Sequence, residues 1–232
     1  MREIQSLIFD FDGTIVDTET PSLAAWEYIF TRYGCLLDPG LYAQHLGTPE
    51  KSAILYAVLE QAIGEGVDRA ALHAERIRFY QAHRHAQRLR PGVRQYLSEA
   101  KQRGFTLSIA SSSPHAWIRE HLVRWDLVEY FDAVVCIEDV TRGKPAPDLY
   151  HVAASRLGIF PAAALAFEDS PHGASAAKAA GMRCVIVPNG VTASMSFSAG
   201  DLRLSSFEEQ PLSEVVAHFQ DADAKVTHAP RD

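Results

Sequence analysis

Short apolar runs alternate with helical segments over the second half of this chain of 232 residues. Uniformly apolar runs of four or five residues suit buried strands, and the segments between them carry apolar residues at helical spacing. The predicted strands are Thr106–Ala110, Ala133–Ile137, Ala164–Phe167 and Cys184–Val187, and the predicted helices are Pro91–Arg103, Pro114–Arg124, Pro147–Arg156 and Pro171–Ala180. Apolar strands separated by helices form a mostly parallel sheet that is covered on both faces. The sequence therefore predicts an α/β fold.

The first half of the chain has a different pattern. Leu7-Ile8-Phe9 is a short apolar run typical of a strand, but Thr20 to about Arg90 contains helical patterns only. Three helices are predicted there, one that ends before Gly34, one over Pro49–Ile63 and one over Val67–Gln87. The helical block is thus inserted between the first strand and the other strands. The predicted division is a core of residues 1–16 and 90–220, an insertion of residues 17–89 and a flexible tail of residues 221–232.

Basic and histidine residues are frequent on the third of these helices. They are Arg76, Arg78, His83, Arg84, His85, Arg88 and Arg90. Because they are spread around the helix, and the histidines have no acidic or cysteine partners to complete a metal site, we interpret them as a solvated face. Recruitment of phosphate by one of them is the alternative.

Composition excludes several classes of protein. A hydrophobic fraction of 47% and a charged fraction of 22% are typical of globular domains and exclude a disordered chain. The net charge of -7 argues against a nucleic-acid surface or polybasic membrane attachment, so a small molecule is the expected partner, and the oligomeric state is not predicted. Three widely spaced cysteines favour a reducing compartment, and no run of apolar residues is long enough for a membrane helix or a signal peptide. We therefore expect a cytoplasmic protein.

Two aspartates follow the first predicted strand directly. Side chains alternate along a strand with a period of two, so Asp10 and Asp12 can face one crevice beyond its carboxyl end, where open α/β sheets bind ligands. One carboxylate could attack phosphorus while the other transfers a proton. A polar turn before Gly13 is the simpler alternative. A calcium loop is excluded because its twelfth position is Pro21 instead of glutamate.

Polar residues also follow the other predicted strands. Ser111, Ser112 and Ser113 provide hydroxyl and backbone N–H groups before a helix, a geometry that binds anions, although we expect Ser113 to cap that helix. Lys144 directly precedes Pro145, and Pro145 and Pro147 stiffen the segment, with an ordinary surface lysine as the alternative. Glu168-Asp169 either caps a helix or joins Asp10 and Asp12 in a cluster of up to four carboxylates. Such a cluster requires a hard cation, which suggests Mg²⁺.

These residues together resemble the haloacid dehalogenase superfamily, specifically subfamily IA with its phosphatases and β-phosphoglucomutase-like members. Asp10-Phe-Asp12-Gly-Thr is similar to the first motif, Ser111 to the second, Lys144 to the third and Glu168-Asp169 to the fourth. The resemblance implies a Rossmann-like parallel sheet of strand order 3-2-1-4-5 with an inserted α-helical cap. The cap is expected to open and close about hinges near residues 17–20 and 88–91.

The resemblance also implies a role for each motif residue. Asp10 would form an aspartyl-phosphate, Asp12 would act as general acid and base, and Ser111, Ser112 and Lys144 would hold the phosphoryl group. Mg²⁺ would be bound by Asp10, the backbone carbonyl of Asp12, Asp169 and Glu168, the last either directly or through water. The expected activity is Mg²⁺-dependent hydrolysis of small phosphorylated metabolites of the sugar phosphate or phosphoglycolate type.

The insertion distinguishes this expectation from a phosphosugar mutase. The mutases of this branch carry a histidine where this chain has Ser22, and a cap arginine and lysine near the positions of Leu46 and Glu50. Lys51 matches only with a shift in register, so a phosphatase is favoured and a β-phosphoglucomutase-like enzyme is the alternative. A non-catalytic binding protein is a weaker alternative, because all the motif residues are present. Substrate selectivity is expected from Ser22, Trp26, Leu46, Thr48 and Lys51.

Overall fold

A parallel sheet forms the centre of the molecule. The computed structural model describes residues 3–48, 50–64 and 68–227. The strands in these residues are β1 (Ser6–Phe9), β2 (Thr106–Ala110), β3 (Ala133–Val135), β4 (Ala164–Glu168), β5 (Arg183–Ile186) and β6 (Leu202–Arg203). They form one sheet in the order β3-β2-β1-β4-β5-β6, and every pair is parallel. The predicted α/β class and strand order are confirmed. The additional strand β6 is too short to carry a sequence pattern.

Helices cover the sheet and make up the insertion. Those of the insertion are α1 (Glu19–Arg32), α2 (Pro39–Gln44), α3 (Lys51–Ile63) and α4 (Arg69–His83). The others are α5 (Val93–Gln102), α6 (His115–Arg124), α7 (Asp148–Arg156), α8 (Pro171–Ala179) and α9 (Leu212–Thr227). The third predicted helix is shorter than expected, since α4 ends at His83 and a 3₁₀ turn follows over Arg84–Ala86. Pro49 and Val67, where two predicted helices begin, lie outside the described residues.

Two helices were not predicted. The short α2 begins after Asp38, whose carboxylate accepts a hydrogen bond from the Gly40 N–H and so caps the helix. The long α9 continues past Asp221, where the sequence analysis began a flexible tail. Two alanines and a lysine in this stretch favour helix, which explains the difference. Residues 228–232 of the predicted tail lie outside the described residues.

Both faces of the sheet are buried. Leu7 and Phe9 pack in a cluster with Phe167 and Phe207, whereas Ile8 packs on the opposite face in a second cluster rich in alanine. The rings of Phe9 and Phe167 stack with centroids 4.7 Å apart. Burial on both faces explains why apolar residues follow one another in β1 and β4 instead of alternating with polar ones.

The register of the sheet brings the strand ends together. Phe9 at the end of β1 lies opposite Ile109 in β2 and Phe167 in β4. The residues that follow these strands therefore leave the sheet at one edge. This is the edge on which the sequence predicts the polar residues.

The insertion has an apolar core of its own. Trp26, Tyr42, Leu55 and Leu72, one from each helix α1–α4, belong to a cluster separate from the two clusters of the sheet. The two connections to the sheet run side by side, because the N–H of Asp17 donates to the Arg88 carbonyl at 2.9 Å. The domain boundaries at residues 17 and 89 remain predictions.

Neither a disulfide nor a membrane helix is found in the part of the chain that the structure describes. Cys35, Cys136 and Cys184 are free thiols. No helix within residues 3–48, 50–64 and 68–227 has the length and apolar character that crossing a membrane requires.

Candidate active site

A cavity of about 570 Å³ lies between the carboxyl edge of the sheet and the inserted helices. The predicted site residues that line it are Asp10, Asp12, Ser22, Leu46, Thr48, Lys51, Ser111, Ser112 and Asp169. Lys144 and Glu168 are buried outside the cavity lining and reach the site through contacts with Asp10 and with each other, whereas Trp26 lies in the apolar core of the insertion. The fold thus brings together side chains from opposite ends of the chain.

Lys144 joins two buried carboxylates. Its Nζ lies 2.6 Å from Asp10 Oδ1 and 2.6 Å from Glu168 Oε1, and its side chain is only 1% exposed. Burial alone would lower the pKa of Lys144, but the negative charges of Asp10 and Glu168 outweigh it and hold the pKa above its ordinary value. Lys144 is therefore a charged residue of the site and not a surface lysine.

Asp10 is held on both of its oxygens. Oδ1 receives the Lys144 ammonium, and Oδ2 accepts a hydrogen bond from the Thr14 hydroxyl at 2.9 Å. Burial raises the pKa of Asp10 to about 7, Lys144 opposes the increase, and the charge of Glu168 adds to it. A cation placed beside Asp10 would favour its ionised, nucleophilic form.

The carboxylate of Glu168 is saturated with donors. Oε1 accepts hydrogen bonds from Lys144 Nζ and from the Tyr150 hydroxyl, each at 2.6 Å. Oε2 accepts weaker ones from the Asp169 N–H at 3.2 Å and the Ser170 hydroxyl at 3.3 Å. Glu168 is completely buried, so it has little capacity left for a further ligand.

Glu168 also presses against the first turn of α8. A methyl group at Gly173 would lie 1.9 Å from Glu168 Oε1. We expect Gly173→Ala to lower the free energy of unfolding by about 1–3 kcal/mol, because the forced shift of a buried carboxylate exceeds the gain in helix propensity. Thermal unfolding measures the effect. Gly190→Ala is the matched control, since a methyl group there meets no atom within 4 Å; equal stability of the two variants would contradict the expectation.

Three carboxylates form a cluster that fits a divalent cation. Asp10, Glu168 and Asp169 each place an oxygen within 4.8 Å of the other two. Burial raises the pKa of Asp169 well above its ordinary value, and the charges of Asp10 and Glu168 raise it further. Lys144 can offset only one of these negative charges. Buried carboxylate oxygens with surplus negative charge are the donor set that suits Mg²⁺.

Asp169 is oriented by its neighbours. Asn189 Nδ2 donates to Asp169 Oδ2 at 2.5 Å. A methyl group at Gly13 would lie 2.1 Å from the same oxygen and 2.5 Å from Asn189 Nδ2, and Gly13 has a positive φ of 82°. Only glycine meets both requirements, so the glycine of the first motif leaves room for the carboxylate of the fourth.

Asp12 accepts three hydrogen bonds from side chains. Oδ1 accepts from the Thr18 hydroxyl and from the Trp117 indole N–H, each at 2.9 Å, and Oδ2 accepts from the Ser113 hydroxyl at 2.6 Å. Thr18 lies in the connection to the insertion, Ser113 follows β2, and Trp117 lies in α6. Asp12 is therefore fixed by three separate segments.

The serine segment after β2 differs from the prediction at one residue. We expected Ser113 to cap α6, but its hydroxyl bonds Asp12, and Glu138 instead accepts the His115 N–H at the start of the helix. Ser111 is buried, and its Oγ accepts the Ser113 N–H at 3.0 Å. The buried Ser112 hydroxyl has no partner among the described residues, which leaves it available to a ligand.

Four of the five predicted selectivity residues line the cavity, and the fifth, Trp26, is completely buried and packs in the core of the insertion. Lys51 Nζ lies 3.1 Å from Glu19 Oε2, so its charge is paired. Ser22 Oγ lies 2.8 Å from the Tyr42 hydroxyl, and the Thr48 hydroxyl donates to a backbone carbonyl at 2.9 Å. Leu46 is buried in the apolar core of the insertion.

The interpretation of the basic cluster as a solvated face is wrong for Arg76. This residue lines the cavity, is only 9% exposed, and places its guanidinium 4.7 Å from the centre of the Trp26 ring. No carboxylate within the described residues forms a salt bridge with it. Leu72, Arg76 and Tyr80 share the buried face of α4 at intervals of four residues, and this spacing is the sequence signal that could have identified Arg76.

Comparison with known proteins assigns the family. The family profile described as haloacid dehalogenase-like hydrolase matches residues 7–187 of the chain. The chain belongs to the haloacid dehalogenase-like hydrolases. The family predicted from the four motifs and the prediction of an enzyme are both confirmed.

Relatives of this hydrolase match along most of their length. YhcW of Bacillus subtilis is 40% identical over 216 residues, which cover 93% of this chain and 98% of YhcW. The phosphorylated carbohydrates phosphatase of Thermotoga maritima is 32% identical over 181 residues, which cover 77% and 82% of the two chains. Among solved structures, a CbbY variant from Rhodobacter sphaeroides in complex with xylulose-(1,5)bisphosphate is 29% identical, with a TM-score of 0.73 and coverage of 90% and 96%.

Several residues of this hydrolase's site were missed by the sequence analysis. Trp117 and Tyr150 lie on helices after strand ends, where their apolar rings predict packing rather than hydrogen bonds to carboxylates. Glu19 opens α1, where an acidic residue is explained by the helix dipole alone. Asn189 could have been predicted from the sequence as a site residue, because it follows β5 and so lies at the same edge of the sheet as the four motifs.

Proposed function

We propose that this protein is a Mg²⁺-dependent phosphatase that hydrolyses small phosphorylated carbohydrates through an aspartyl-phosphate. The observation that carries the proposal is the arrangement around Asp10. Its carboxylate faces the cavity, is bonded by Lys144 and Thr14, and lies in a cluster with Glu168 and Asp169. A buried carboxylate supported in this way suits nucleophilic attack on phosphorus.

In the first step, an oxygen of Asp10 attacks phosphorus while the bond to the leaving oxygen breaks. Asp12 gives its proton to that oxygen, so that a neutral alcohol departs. Lys144 and the hydroxyls of Ser111 and Ser112 hold the phosphoryl group. In the second step, water attacks the phosphorus, Asp12 takes the proton of the water, and the bond to Asp10 breaks to release inorganic phosphate.

Mg²⁺ would be held by the carboxylates of Asp10 and Asp169 and by the backbone carbonyl of Asp12. When bound, the ion offsets the repulsion between an anionic nucleophile and an anionic substrate. Glu168 already accepts four hydrogen bonds, so its contact with the ion is proposed to pass through water. Its main task is then to hold Lys144 against Asp10.

The groups that line the cavity support the proposal of a carbohydrate substrate. The insertion contributes hydroxyls of Ser22 and Thr48 and the Glu19–Lys51 pair, which are groups that bind sugar hydroxyls. The Thermotoga relative acts on phosphorylated carbohydrates, and CbbY binds a sugar bisphosphate.

The free cysteines suit a reducing compartment, so the cytoplasm is the proposed location.

Release of inorganic phosphate from a defined panel tests the proposal. The panel contains p-nitrophenyl phosphate, glucose 6-phosphate, β-glucose 1-phosphate, fructose 1,6-bisphosphate and phosphoglycolate, each with Mg²⁺ and with EDTA. We expect Mg²⁺-dependent turnover that is fastest with a sugar phosphate, and a rise in melting temperature on addition of Mg²⁺. Absence of turnover with every substrate of the panel would contradict the proposal. Interconversion of the two glucose phosphates that is faster than phosphate release would instead establish a mutase.

Arg76 is expected to select the part of the substrate that does not react. Its charge is unpaired among the described residues and faces the cavity, so it can donate to sugar hydroxyls or to a second phosphate. Arg76→Met should raise KM for the best sugar phosphate by about tenfold, which corresponds to the loss of one charge-assisted hydrogen bond, with kcat changed less. Arg78→Met is the control, because Arg78 is exposed on the same helix. An unchanged KM in Arg76→Met would contradict this role.

A further inference from the structure

The hydrogen bonds to Asp12 are not equivalent. Within the part of the chain that the structure describes, Oδ1 receives two donors, the Trp117 indole and the Thr18 hydroxyl, while Oδ2 receives the Ser113 hydroxyl alone. We propose that Trp117 is a positioning residue that reserves Oδ1 of Asp12 as a hydrogen-bond acceptor and so directs the transferred proton to Oδ2. The proposal rests on the proposed function of Asp12 as general acid and base.

The chemistry of the donors carries this assignment. Oδ1 already accepts from the Trp117 N–H and from the Thr18 hydroxyl, so both of its lone pairs are used, and the indole N–H can only donate. Oδ2 accepts from the Ser113 hydroxyl, which leaves one of its lone pairs for the proton. A proton on Oδ2 therefore leaves all three hydrogen bonds to Asp12 in place, whereas a proton on Oδ1 would displace the Trp117 N–H or require the Thr18 hydroxyl to reverse and accept.

This assignment specifies the proton's path in each step. The O–H bond at Oδ2 breaks as the proton passes to the leaving oxygen, whose bond to phosphorus breaks at the same time. In the second step, a proton of the attacking water forms a new O–H bond at Oδ2 as the water oxygen bonds to phosphorus. The Trp117 N–H remains bonded to Oδ1 throughout.

The indole is held in place from two sides. The His121 ring lies 4.2 Å from it, centroid to centroid, and the Tyr80 ring of α4 lies 5.8 Å away. His121 is itself buried, and its Nδ1 lies 2.9 Å from the Trp117 carbonyl one turn earlier in α6. A ring confined in this way aims its N–H with little rotational freedom, as a positioning residue must.

Tyr80 extends this support into the insertion. Its hydroxyl accepts a hydrogen bond from the Gln87 amide at 2.5 Å, and Gln87 Oε1 accepts one from Arg124 of α6 at 2.6 Å. Gln87 is completely buried. The indole that bonds Asp12 therefore packs against a network that links the insertion to the core.

Trp117→Phe tests the proposal because it keeps a ring and removes the donor. The value of kcat/KM reports the steps up to departure of the alcohol. A sugar alkoxide needs a proton to leave, whereas p-nitrophenolate does not, so misplacing the acid should affect the two substrates unequally. We expect kcat/KM for the fastest sugar phosphate of the panel to fall by about 10–100-fold, and that for p-nitrophenyl phosphate to fall by less than about threefold.

The second step provides an independent readout. With p-nitrophenyl phosphate, a slower attack by water after an unimpaired first step should produce a burst of p-nitrophenolate, near one per active site, in Trp117→Phe. Trp125→Phe is the matched control, since the Trp125 N–H is buried without a partner among the described residues. It should leave both kcat/KM values within about twofold of the unmodified protein.

Each further outcome contradicts the proposal. Equal losses for the two substrates would show that Trp117 acts through packing alone, and no loss would show that its N–H is dispensable. If Trp117→Phe does not fold, replacement of the indole by an isosteric benzothiophene, with sulfur in place of the N–H, must give the same selective loss. Failure of the proposed function is distinguishable, because the unmodified protein would then lack Mg²⁺-dependent turnover.

Discussion

Replacement of Asp10 by asparagine is expected to reduce Mg²⁺-dependent phosphate release by about 10⁴-fold or more, because the amide has no anionic oxygen to attack phosphorus. The substitution keeps the size and shape of the side chain, so Lys144 and Thr14 retain a polar neighbour. It also removes one of three clustered negative charges. Stability should therefore be maintained while activity is lost.

Phosphate release and thermal unfolding, measured on the same preparation, separate these two effects. The melting temperature of Asp10→Asn should equal or exceed that of the unmodified protein, since the buried carboxylate that it removes has a pKa raised to about 7 by burial. Asp126→Asn is the matched control, because Asp126 is exposed and its φ of 53° is a conformation that asparagine tolerates. Activity in Asp10→Asn comparable to this control would rule out the aspartyl-phosphate.

Replacement of Lys144 by methionine is expected to have the largest effect on stability. It leaves Asp10 and Glu168 buried without their shared cation, and loss of one partner of a buried ion pair costs about 3–5 kcal/mol. For a chain of this size the melting temperature should fall by roughly 10 °C. Activity should fall as well, because Lys144 also holds the phosphoryl group in the proposed mechanism.

Lys101→Met is the control for this substitution. Lys101 pairs with Asp132 at 3.0 Å, but both side chains are more than one third exposed, so the loss should be below about 1 kcal/mol. Mg²⁺ should recover part of the lost stability of Lys144→Met, since a divalent cation in the carboxylate cluster offsets the same charges. Calorimetry with and without Mg²⁺ measures both effects. A melting temperature equal to that of Lys101→Met would contradict the structural role of Lys144.

The main parts of the fold and the site could be predicted from local patterns. The apolar runs locate the strands of the sheet, and parallel strands bring their carboxyl ends to one edge. Asp10, Ser111, Lys144 and Asp169 follow four such runs, so their convergence follows from the connectivity alone. The same reasoning could not detect β6 or α2, because elements of two and six residues are too short to show a period.

The contacts that side chains make within the site could not be predicted from the sequence. Ser113 has the sequence context of a helix cap, and its bond to Asp12 depends on how closely the loop after β2 approaches the loop after β1. Trp117 lies 105 residues after Asp12 and would be interpreted from its sequence as a core residue. Arg76 has the sequence context of a solvated helix, but its face of α4 turns towards the cavity.

Local sequence patterns were sufficient to predict the α/β class, the inserted helices and the residues at the strand ends, and the family resemblance added the strand order. These features depend on periodicity and on neighbours along the chain. Three features became visible only in the three-dimensional structure: Glu168 accepts hydrogen bonds from Lys144 and Tyr150, Trp117 donates to Asp12, and Arg76 lines the cavity. The period of a helix or strand specifies which residues share a face, but the groups that contact this face come from segments distant in the chain, so they depend on the packing of the whole molecule.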